Sequence, residues 1–282
     1  MLGVRAHDFG RWPAAELAER IARTGFRCVQ LAPPKAIVGF EAEPGRLSAD
    51  GARQVREAFA RQKVGIAVLG CYINLVDPDP AQRRIQLDRF KEYLRFARDF
   101  GCGVVGTETG SLNADYSFHP DNRGEAAFQR VLASVRELVA EAEKSGVMVG
   151  IEGVERYVIS DPRRMRRLLD EVESERLGVI FDAVNLLSIE NYQRQDDIMR
   201  EAFALWGDRI AIIHAKDFVV EKGALRSVLS GQGMLHHGPL VDFIGRREPS
   251  LPVLMEDTAP DTVARGVQFW RGFFPEAANP GR

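Results

Sequence analysis

The chain has 282 residues, 45% of them hydrophobic, which suits one (β/α)8 barrel with a large buried core. It carries 38 Lys and Arg residues against 40 Asp and Glu residues, with no block of like charges. This balance argues against nucleic acid or a membrane surface as the main partner, so we expect a small neutral ligand.

The first residues show no signal-peptide pattern, and no apolar run approaches the ~20 residues that a membrane helix needs. We therefore expect a soluble, cytoplasmic protein. Cys28, Cys71 and Cys102 are odd in number, lack Cys-x-x-Cys spacing and lie in or beside apolar runs. This pattern predicts buried, reduced thiols.

Apolar runs rich in Val and Ile alternate with segments of helical periodicity along the whole chain, the pattern of a parallel sheet wrapped by helices. We predict eight strands, at residues 2–7, 26–31, 64–70, 103–108, 147–152, 178–182, 210–215 and 252–256. We predict helices at 13–25, from 48 onward, and at 80–100, 122–145, 161–173, 196–206, 238–246 and 260–274.

Residues that are typical of helix ends support several of these helices. Pro13 is suited to a first helical position and Gly25 to a C-cap, while Asp161 precedes the proline that opens the fifth helix. Eight strand and helix pairs without a break in composition favour an α/β fold, a TIM barrel that forms one domain over residues 1–282. An open parallel sheet with a small cap is the alternative.

Strands five to eight of this predicted barrel each end in a potential metal ligand: Glu152, Asp182, His214 and Glu256. Side chains alternate along a strand, so each ligand shares its side with the residue two positions earlier. Those residues are Gly150, Ile180, Ile212 and Leu254. Each suits a barrel interior, so the four ligands are compatible with one common direction into the barrel mouth, where TIM barrels place their chemistry.

Three carboxylates brought together without a cation would repel one another, and a divalent ion removes that cost. Three oxygen donors and one imidazole suit Mn²⁺ or Mg²⁺, and also accept Co²⁺, Fe²⁺ or Zn²⁺. The sequence therefore predicts one divalent ion, with Mn²⁺ the preferred metal, held by Glu152, Asp182, His214 and Glu256. For any one of these residues alone, a helix cap or an ion pair is the ordinary interpretation.

These residues carry a family resemblance. The chain resembles the xylose-isomerase-like barrels of the sugar phosphate isomerase and epimerase group, over nearly its whole length. That group includes ketose 3-epimerases, hydroxypyruvate isomerase, inosose dehydratases and, more distantly, endonuclease IV. The matching features are Glu152, Asp182, His214 in His-Ala-Lys-Asp, Gly231-Gln-Gly233 and Glu256.

The resemblance implies a metal-dependent isomerase or epimerase of sugars or polyols. The ion would polarise a substrate carbonyl, and Glu152 and Glu256 would remove and return a proton through an enediolate. Return from the other face inverts a centre, return to the next carbon isomerises, and loss of a β-hydroxyl dehydrates. The resemblance also implies a carbohydrate substrate and a homodimer or homotetramer.

Two positions depart from the ketose 3-epimerases. Their strand-five motif is Glu-x-x-Asn-Arg-Phe-Glu, whereas this chain reads Glu152-Gly-Val-Glu-Arg-Tyr-Val158, which keeps Arg156 and lacks the last carboxylate. They often carry a histidine three residues after the strand-six aspartate, where this chain has Asn185. These departures speak against a free ketohexose as substrate.

Several further residues lie at strand ends or in loops that should face the mouth. We predict substrate contacts for Tyr72, Glu108, Arg156, Asn185 and Lys216. A salt bridge of Lys216 with Asp217 or another acid, and a capping role for Glu108, are the alternatives. We assign His7 to local hydrogen bonding and the doublet His236-His237 to a solvated loop.

Three other functions compete with isomerisation. A dehydratase or lyase acting on an inosose or keto acid could use the same residues, and Lys216 tilts slightly towards it. A non-catalytic sugar-binding barrel would keep ligand-like residues without turnover. An endonuclease would need a multinuclear zinc cluster and a basic groove, and five histidines with balanced charge do not match it.

Overall fold

The computed structural model describes residues 1–41, 43–247 and 251–274. Within these ranges, eight parallel strands close into a barrel, in the order β1-β10-β7-β6-β5-β4-β3-β2. The barrel strands are β1 (Leu2–Arg5), β2 (Cys28–Leu31), β3 (Gly65–Gly70), β4 (Val104–Glu108), β5 (Met148–Glu152), β6 (Leu177–Asp182), β7 (Ile210–Ala215) and β10 (Val253–Met255). The predicted TIM barrel is confirmed, and each predicted strand is present.

The sequence did not predict a hairpin that follows β7. It pairs β8 (Asp217–Glu221) with β9 (Ala224–Val228) in antiparallel register. The two residues of its turn, Lys222 and Gly223, both have positive φ, at 52° and 75°. This twist suits a two-residue hairpin, but Lys-Gly is a weaker turn signal than Asn-Gly and was overlooked.

The helices lie near their predicted positions. They are α1 (Ala14–Arg23), α2 (Pro33–Ala36), α3 (Ala49–Arg61), α4 (Pro80–Phe96), α5 (Glu125–Ser145), α6 (Pro162–Val172), α7 (Gln195–Trp206), α8 (Gly238–Gly245) and α9 (Val263–Phe273). Ser48 caps α3, since its side chain accepts a hydrogen bond from Gly51 N–H, and Asp161 caps α6 in the same way. The short helix α2 was not predicted. No helix among the described residues is long and apolar enough to cross a bilayer.

A small apolar cluster fills the barrel interior, separate from the larger core between strands and helices. It consists of Cys28, Val68, Ile180, Ile212 and Leu254. Glycines make room for it: a methyl group on Gly106 would lie 2.5 Å from Ile180 Cδ1. The three cysteines are buried and free, as predicted. The barrel interior beneath the mouth is thus filled with packed apolar side chains.

Candidate active site at the barrel mouth

Three of the four predicted ligands converge directly above the interior cluster. Oxygen or nitrogen atoms of Glu152, Asp182 and His214, one from each residue, all lie within 4.8 Å of one another. Asp182 and His214 are register partners on β6 and β7, and Glu152 ends the neighbouring strand β5. Each of the three residues is only 2% exposed. A bound ion would therefore be held by strand ends rather than by mobile loops.

The fourth predicted ligand, Glu256, lies beside this triad. Its Oε1 is 3.5 Å from His214 Nδ1, and that nitrogen is 3.3 Å from Glu152 Oε1. Its Oε2 is 3.0 Å from the Lys216 ammonium and 3.3 Å from Arg5 Nη1. Glu256 follows β10, whose Leu254 is the register partner of His214. The carboxylate of Glu256 is thus shared between the triad and two cations.

Lys216 is the central cation of the site. Its Nζ lies 2.8 Å from Asp182 Oδ2 and 3.0 Å from Glu256 Oε2, and the residue is 7% exposed. Asp217, which the sequence offered as one partner for Lys216, has a different role. Its carboxylate accepts hydrogen bonds from the backbone N–H groups of Phe218, Gly231, Gly233 and Leu235. Asp217 therefore organises the Gly-x-Gly loop, and Lys216 points into the site.

The buried charges shift one another's pKa values. Burial alone would lower the pKa of His214, but Glu152 and Glu256 outweigh it and raise the pKa to about 9. Burial raises the pKa of Asp182 to about 6 against the opposing effect of Lys216. Burial also favours a higher pKa for Glu256, yet Lys216, His214 and Arg5 hold that pKa well below its usual range.

This group of side chains fits a divalent ion by its own chemistry. Three buried carboxylates, of Glu152, Asp182 and Glu256, are met by two permanent cations, Lys216 and Arg5, and Arg5 also pairs with Asp8 and Asp257. A divalent ion would supply further positive charge and leave His214 neutral, in the form that binds metals. Carboxylate oxygens with one imidazole are a donor set that Mn²⁺ and Mg²⁺ accept. Glu152, Asp182 and His214 could hold the ion, with Glu256 within reach.

A cavity of about 430 Å³ opens above these residues. Four of the five residues predicted to contact substrate line it, namely Tyr72, Glu108, Asn185 and Lys216. The fifth, Arg156, lines a second and larger cavity instead. The first cavity has the size of a small-molecule site, which commonly encloses about 300–1,000 Å³.

Asn185 orients two of the carboxylates. Its Nδ2 donates a hydrogen bond to Glu152 Oε1 at 2.7 Å, and its backbone N–H donates to Asp182 Oδ1 at 3.0 Å. Asn185 stands where the ketose 3-epimerases often have histidine. A neutral amide at this position fixes the rotamer of Glu152 without adding a titratable group.

Glu108 faces the same cavity from the neighbouring strand. It is the register partner of Glu152 in the pairing of β4 with β5. Burial, and next the negative charge of Glu152, raise the pKa of Glu108 to about 7. Glu108 can therefore carry a proton in the cavity near neutral pH, which a simple capping role would not require.

His7 lines the cavity, so its assignment to local hydrogen bonding was wrong. Its Nδ1 is buried and has no hydrogen-bond partner within the described residues. Burial, with help from the positive charges of Arg5 and Lys35, lowers the pKa of His7 to about 4. The imidazole is thus neutral at physiological pH. The signal was available, because the predicted first strand ended at His7.

Arg5, Lys35 and Tyr116 also line the cavity and were missed. Lys35 Nζ lies 4.6 Å from the centre of the Tyr72 ring, and the Tyr72 hydroxyl accepts a hydrogen bond from Gln30. Arg5 ends β1 and lies 3.3 Å from Glu256, whereas Lys35 lies on α2, which follows β2. Strand-end position was a sequence signal for Arg5, but Lys35 on α2 and Tyr116 in the loop after β4 lack that signal.

The prediction that His236 and His237 are both solvated is correct only for His236. His236 is exposed at its side chain and lies 2.9 Å from Asp196 Oδ1. His237 is buried, and its ring packs edge-on against Phe269 and Trp270. The two apolar rings belong to α9. Sequence periodicity does not predict that α9 packs against this loop.

Comparisons with known proteins agree with this geometry. The sequence profile of the xylose isomerase-like TIM barrel family matches residues 18–273. A D-psicose 3-epimerase from Enterocloster bolteae is 24% identical over 210 residues, which are 72% of this chain and 64% of that protein. The chain thus matches somewhat less than two thirds of that relative's length.

Solved structures resemble the whole chain. A xylose isomerase domain protein from Planctomyces limnophilus superposes with a TM-score of 0.73 at 16% identity, covering 98% of this chain and 99% of that one. A 3-keto-D-glucoside 4-epimerase from E. coli superposes with a TM-score of 0.70 at 16% identity, covering 97% and 98% of the two chains. At this level of identity, the structural likeness shows the shared fold.

Proposed function

The chain belongs to the xylose isomerase-like TIM barrel family, and on this premise we propose that it is a divalent-metal-dependent isomerase or epimerase of keto sugars. The convergence of Glu152, Asp182 and His214 within 4.8 Å, with Glu256 beside them, carries the proposal. The names of two similar proteins, a D-psicose 3-epimerase and a 3-keto-D-glucoside 4-epimerase, support the same class of reaction.

Glu152, Asp182, His214 and Glu256 would hold the ion, and Mn²⁺ suits this donor set. When bound, such an ion supplies Lewis-acid polarisation of a carbonyl group. The protein contributes a dry and rigid support, because the four residues end strands that rest on the interior cluster. Asn185 keeps the carboxylates of Glu152 and Asp182 in fixed rotamers.

Proton transfer between carbon atoms would fall to Glu152 and Glu256. Both polar contacts of Glu152 within the described chain use Oε1, so Oε2 is available to accept a substrate proton. The pKa of Glu256 lies well below its usual range, so this carboxylate is ionised in the metal-free protein. The two side chains arise from β5 and from the end of β10, strands that β6 and β7 separate. They can therefore approach a substrate carbon from different sides.

Other cavity residues would bind and orient the substrate. Lys216 adds a positive charge beside Asp182 and Glu256, which would stabilise negative charge that develops on substrate oxygens. Asn185, Glu108 and Tyr72, which line the cavity, would contact hydroxyl groups of the substrate. His7, neutral and with a free ring nitrogen, is a fourth candidate for such a contact.

Solvent deuterium exchange tests this proposal. Ketoses, inososes, 3-keto sugars and hydroxypyruvate are incubated with the protein and Mn²⁺ in deuterated water, and NMR follows exchange and new products. We expect exchange into at least one compound, and a loss on the order of 10²–10⁴-fold in Glu152→Gln and Glu256→Gln, the scale of general acid–base catalysis. Glu221→Gln, which changes an exposed carboxylate on the hairpin, is the matched control. Full exchange by both site variants would overturn the proposal.

A dehydratase is the second candidate. The observation that favours it is Glu108, whose pKa of about 7 leaves a proton that could be given to a departing hydroxyl group. Product analysis separates the two reactions. Water loss consumes the substrate and produces a new carbonyl or alkene signal, whereas epimerisation stops at a mixture of two sugars.

A further inference from the structure

A second cavity lies beside the candidate active site and has no role in the chemistry above. Its volume is about 760 Å³, compared with about 430 Å³ for the first cavity. Its lining comes from the loops that follow β4, β5 and β6, and includes Phe118, Arg156 and Ser188. These loops belong to the catalytic end of a TIM barrel.

The two cavities are neighbours. Tyr116 lines the first cavity, and its ring centre is 6.2 Å from that of Tyr157. The Tyr157 hydroxyl accepts a hydrogen bond at 3.2 Å from Arg156, which lines the second cavity. The backbone N–H of Glu155, in the second cavity, donates to the carbonyl of Asn185, in the first, at 2.7 Å. Residues that line the two cavities are thus in direct contact, and the second cavity lies beside the first at the same end of the barrel.

The walls of the second cavity are built and fixed. The fully buried Asn122 donates a hydrogen bond to the carbonyl of Arg156 at 2.9 Å and accepts one from Leu112 N–H at 2.9 Å. Arg164 donates to the carbonyls of Val158 and Arg123, at 2.7 and 2.8 Å. The loops after β4 and β5 are thus cross-linked, which gives the preformed shape typical of ligand sites.

The lining chemistry selects a neutral ligand that is rich in hydroxyl groups. The lining contains three guanidinium groups, of Arg123, Arg156 and Arg164, and three carboxylates, of Glu155, Asp161 and Glu190, and Arg123 pairs with Glu155. This balance does not favour a phosphate or a carboxylate, but it offers both donors and acceptors to hydroxyl groups. Phe118 is 50% exposed and presents an aromatic face, which suits the apolar face of a sugar ring.

We propose that the second cavity binds a neutral glycosyl unit attached to the keto sugar that reacts in the first cavity. The substrate would then be a keto glycoside or a disaccharide rather than a free monosaccharide. This inference rests on the proposed function for the position of the reacting sugar. It also accounts for the place of Arg156, which borders the second cavity and contacts the wall between the two.

Matched substrates test the proposal. Deuterium exchange with Mn²⁺ is compared for methyl 3-keto-D-glucoside and for the 3-keto derivatives of cellobiose and maltose. We expect at least one disaccharide to show a KM at least tenfold lower than the methyl glycoside. Phe118→Ala and Glu190→Trp, which remove the aromatic face and fill the cavity, should cancel this advantage and leave the methyl glycoside unchanged. Ile85→Ala, an exposed residue of α4, is the control. Equal KM values for all three substrates in the wild type would overturn the proposal.

A binding measurement separates this proposal from the proposed function. If no compound exchanges, ligand-observed NMR gives Kd values for cellobiose, maltose and methyl glucoside, which need no turnover. A tenfold preference for a disaccharide that Phe118→Ala removes would support the second cavity even though the proposed reaction had failed. The absence of such a preference, or a preference that survives in both Phe118→Ala and Glu190→Trp, would overturn it.

Discussion

Two layers of side chains lie one above the other inside the barrel, two residues apart on the same strands. The lower layer includes Ile180, Ile212 and Leu254, and the upper layer contains Asp182, His214 and Glu256. Both layers are almost completely buried, at 4% exposure or less. Burial stabilises the lower layer by about 1.5–3 kcal/mol per large side chain, whereas it destabilises each charge of the upper layer unless a partner compensates.

The same degree of burial on the same strands therefore stabilises the apolar layer and destabilises the charged one. The upper layer persists in the fold because Lys216 and Arg5 balance its carboxylates. Such an arrangement is costly for a purely structural purpose, and strongly perturbed groups that line a cavity are typical of functional sites. Variants that alter one layer at a time can separate the two effects.

We expect the largest effect from Lys216→Met. Without its ammonium group, Asp182 and Glu256 lose a buried partner, so the metal-free variant should lose about 3–5 kcal/mol of unfolding free energy. Saturating Mn²⁺ should recover most of that loss, because the ion compensates the same carboxylates. Urea unfolding in EDTA and in Mn²⁺ measures both values. Lys144→Met on α5, where the side chain is 74% exposed, is the control, and an equal loss in both buffers would contradict the account.

Ile180→Ala should destabilise the lower layer by about 2–5 kcal/mol, through lost burial and the cavity left behind. Because this layer carries no charge, the loss should be the same with EDTA and with Mn²⁺. The same urea experiment tests this. A loss that depended on the metal would show that the two layers are coupled, which our comparison does not predict.

Gly106→Ala should cost about 1–3 kcal/mol, since overpacking strains the interior. The new methyl group would lie 2.5 Å from Ile180 Cδ1. Ile180→Val removes that atom, so the double variant should be more stable than the sum of the two single effects predicts. A double-mutant cycle of unfolding free energies measures the difference. Strict additivity would mean that the clash is relieved elsewhere.

A further effect should be a pH dependence assigned to Glu108. Its pKa is raised by burial and by Glu152 from 4.5 to about 7, so the folded chain binds a proton that the unfolded chain has released between these values. The stabilising contribution is complete below pH 4.5 and is lost as the pH rises to 7. In metal-free protein, the stability of wild type minus that of Glu108→Gln should therefore fall across this window. A flat or rising difference would refute the assignment.

Much of the fold was predictable because hydrophobic periodicity and helix-capping residues depend on the local sequence. Strand parity likewise placed Ile180 below Asp182 and Leu254 below Glu256 without any knowledge of tertiary structure. Parity gives the side of a strand but not the direction of a long side chain. The sequence could therefore not decide whether Lys216 pairs with Asp217 or with Asp182.

The loops were less predictable, because distant contacts shape them. Arg156 enters the second cavity because the buried amide of Asn122 holds its backbone from 34 positions away. His7 was misassigned because β1 stops at Arg5, and a short 3-10 turn carries His7 into the cavity. The contact of Asn122 with Arg156 leaves no periodic signal in the sequence.

We propose that Glu152, Asp182, His214 and Glu256 together hold one divalent ion. Calorimetric titration of Mn²⁺ into EDTA-treated protein tests this proposal, with Asp182→Asn as the site variant and Asp88→Asn, at a half-exposed position on α4, as the control. We predict one bound ion per chain for the wild type and the control, and loss of that binding in Asp182→Asn. Absence of binding in the wild type, or an unchanged stoichiometry and affinity in Asp182→Asn, would contradict it.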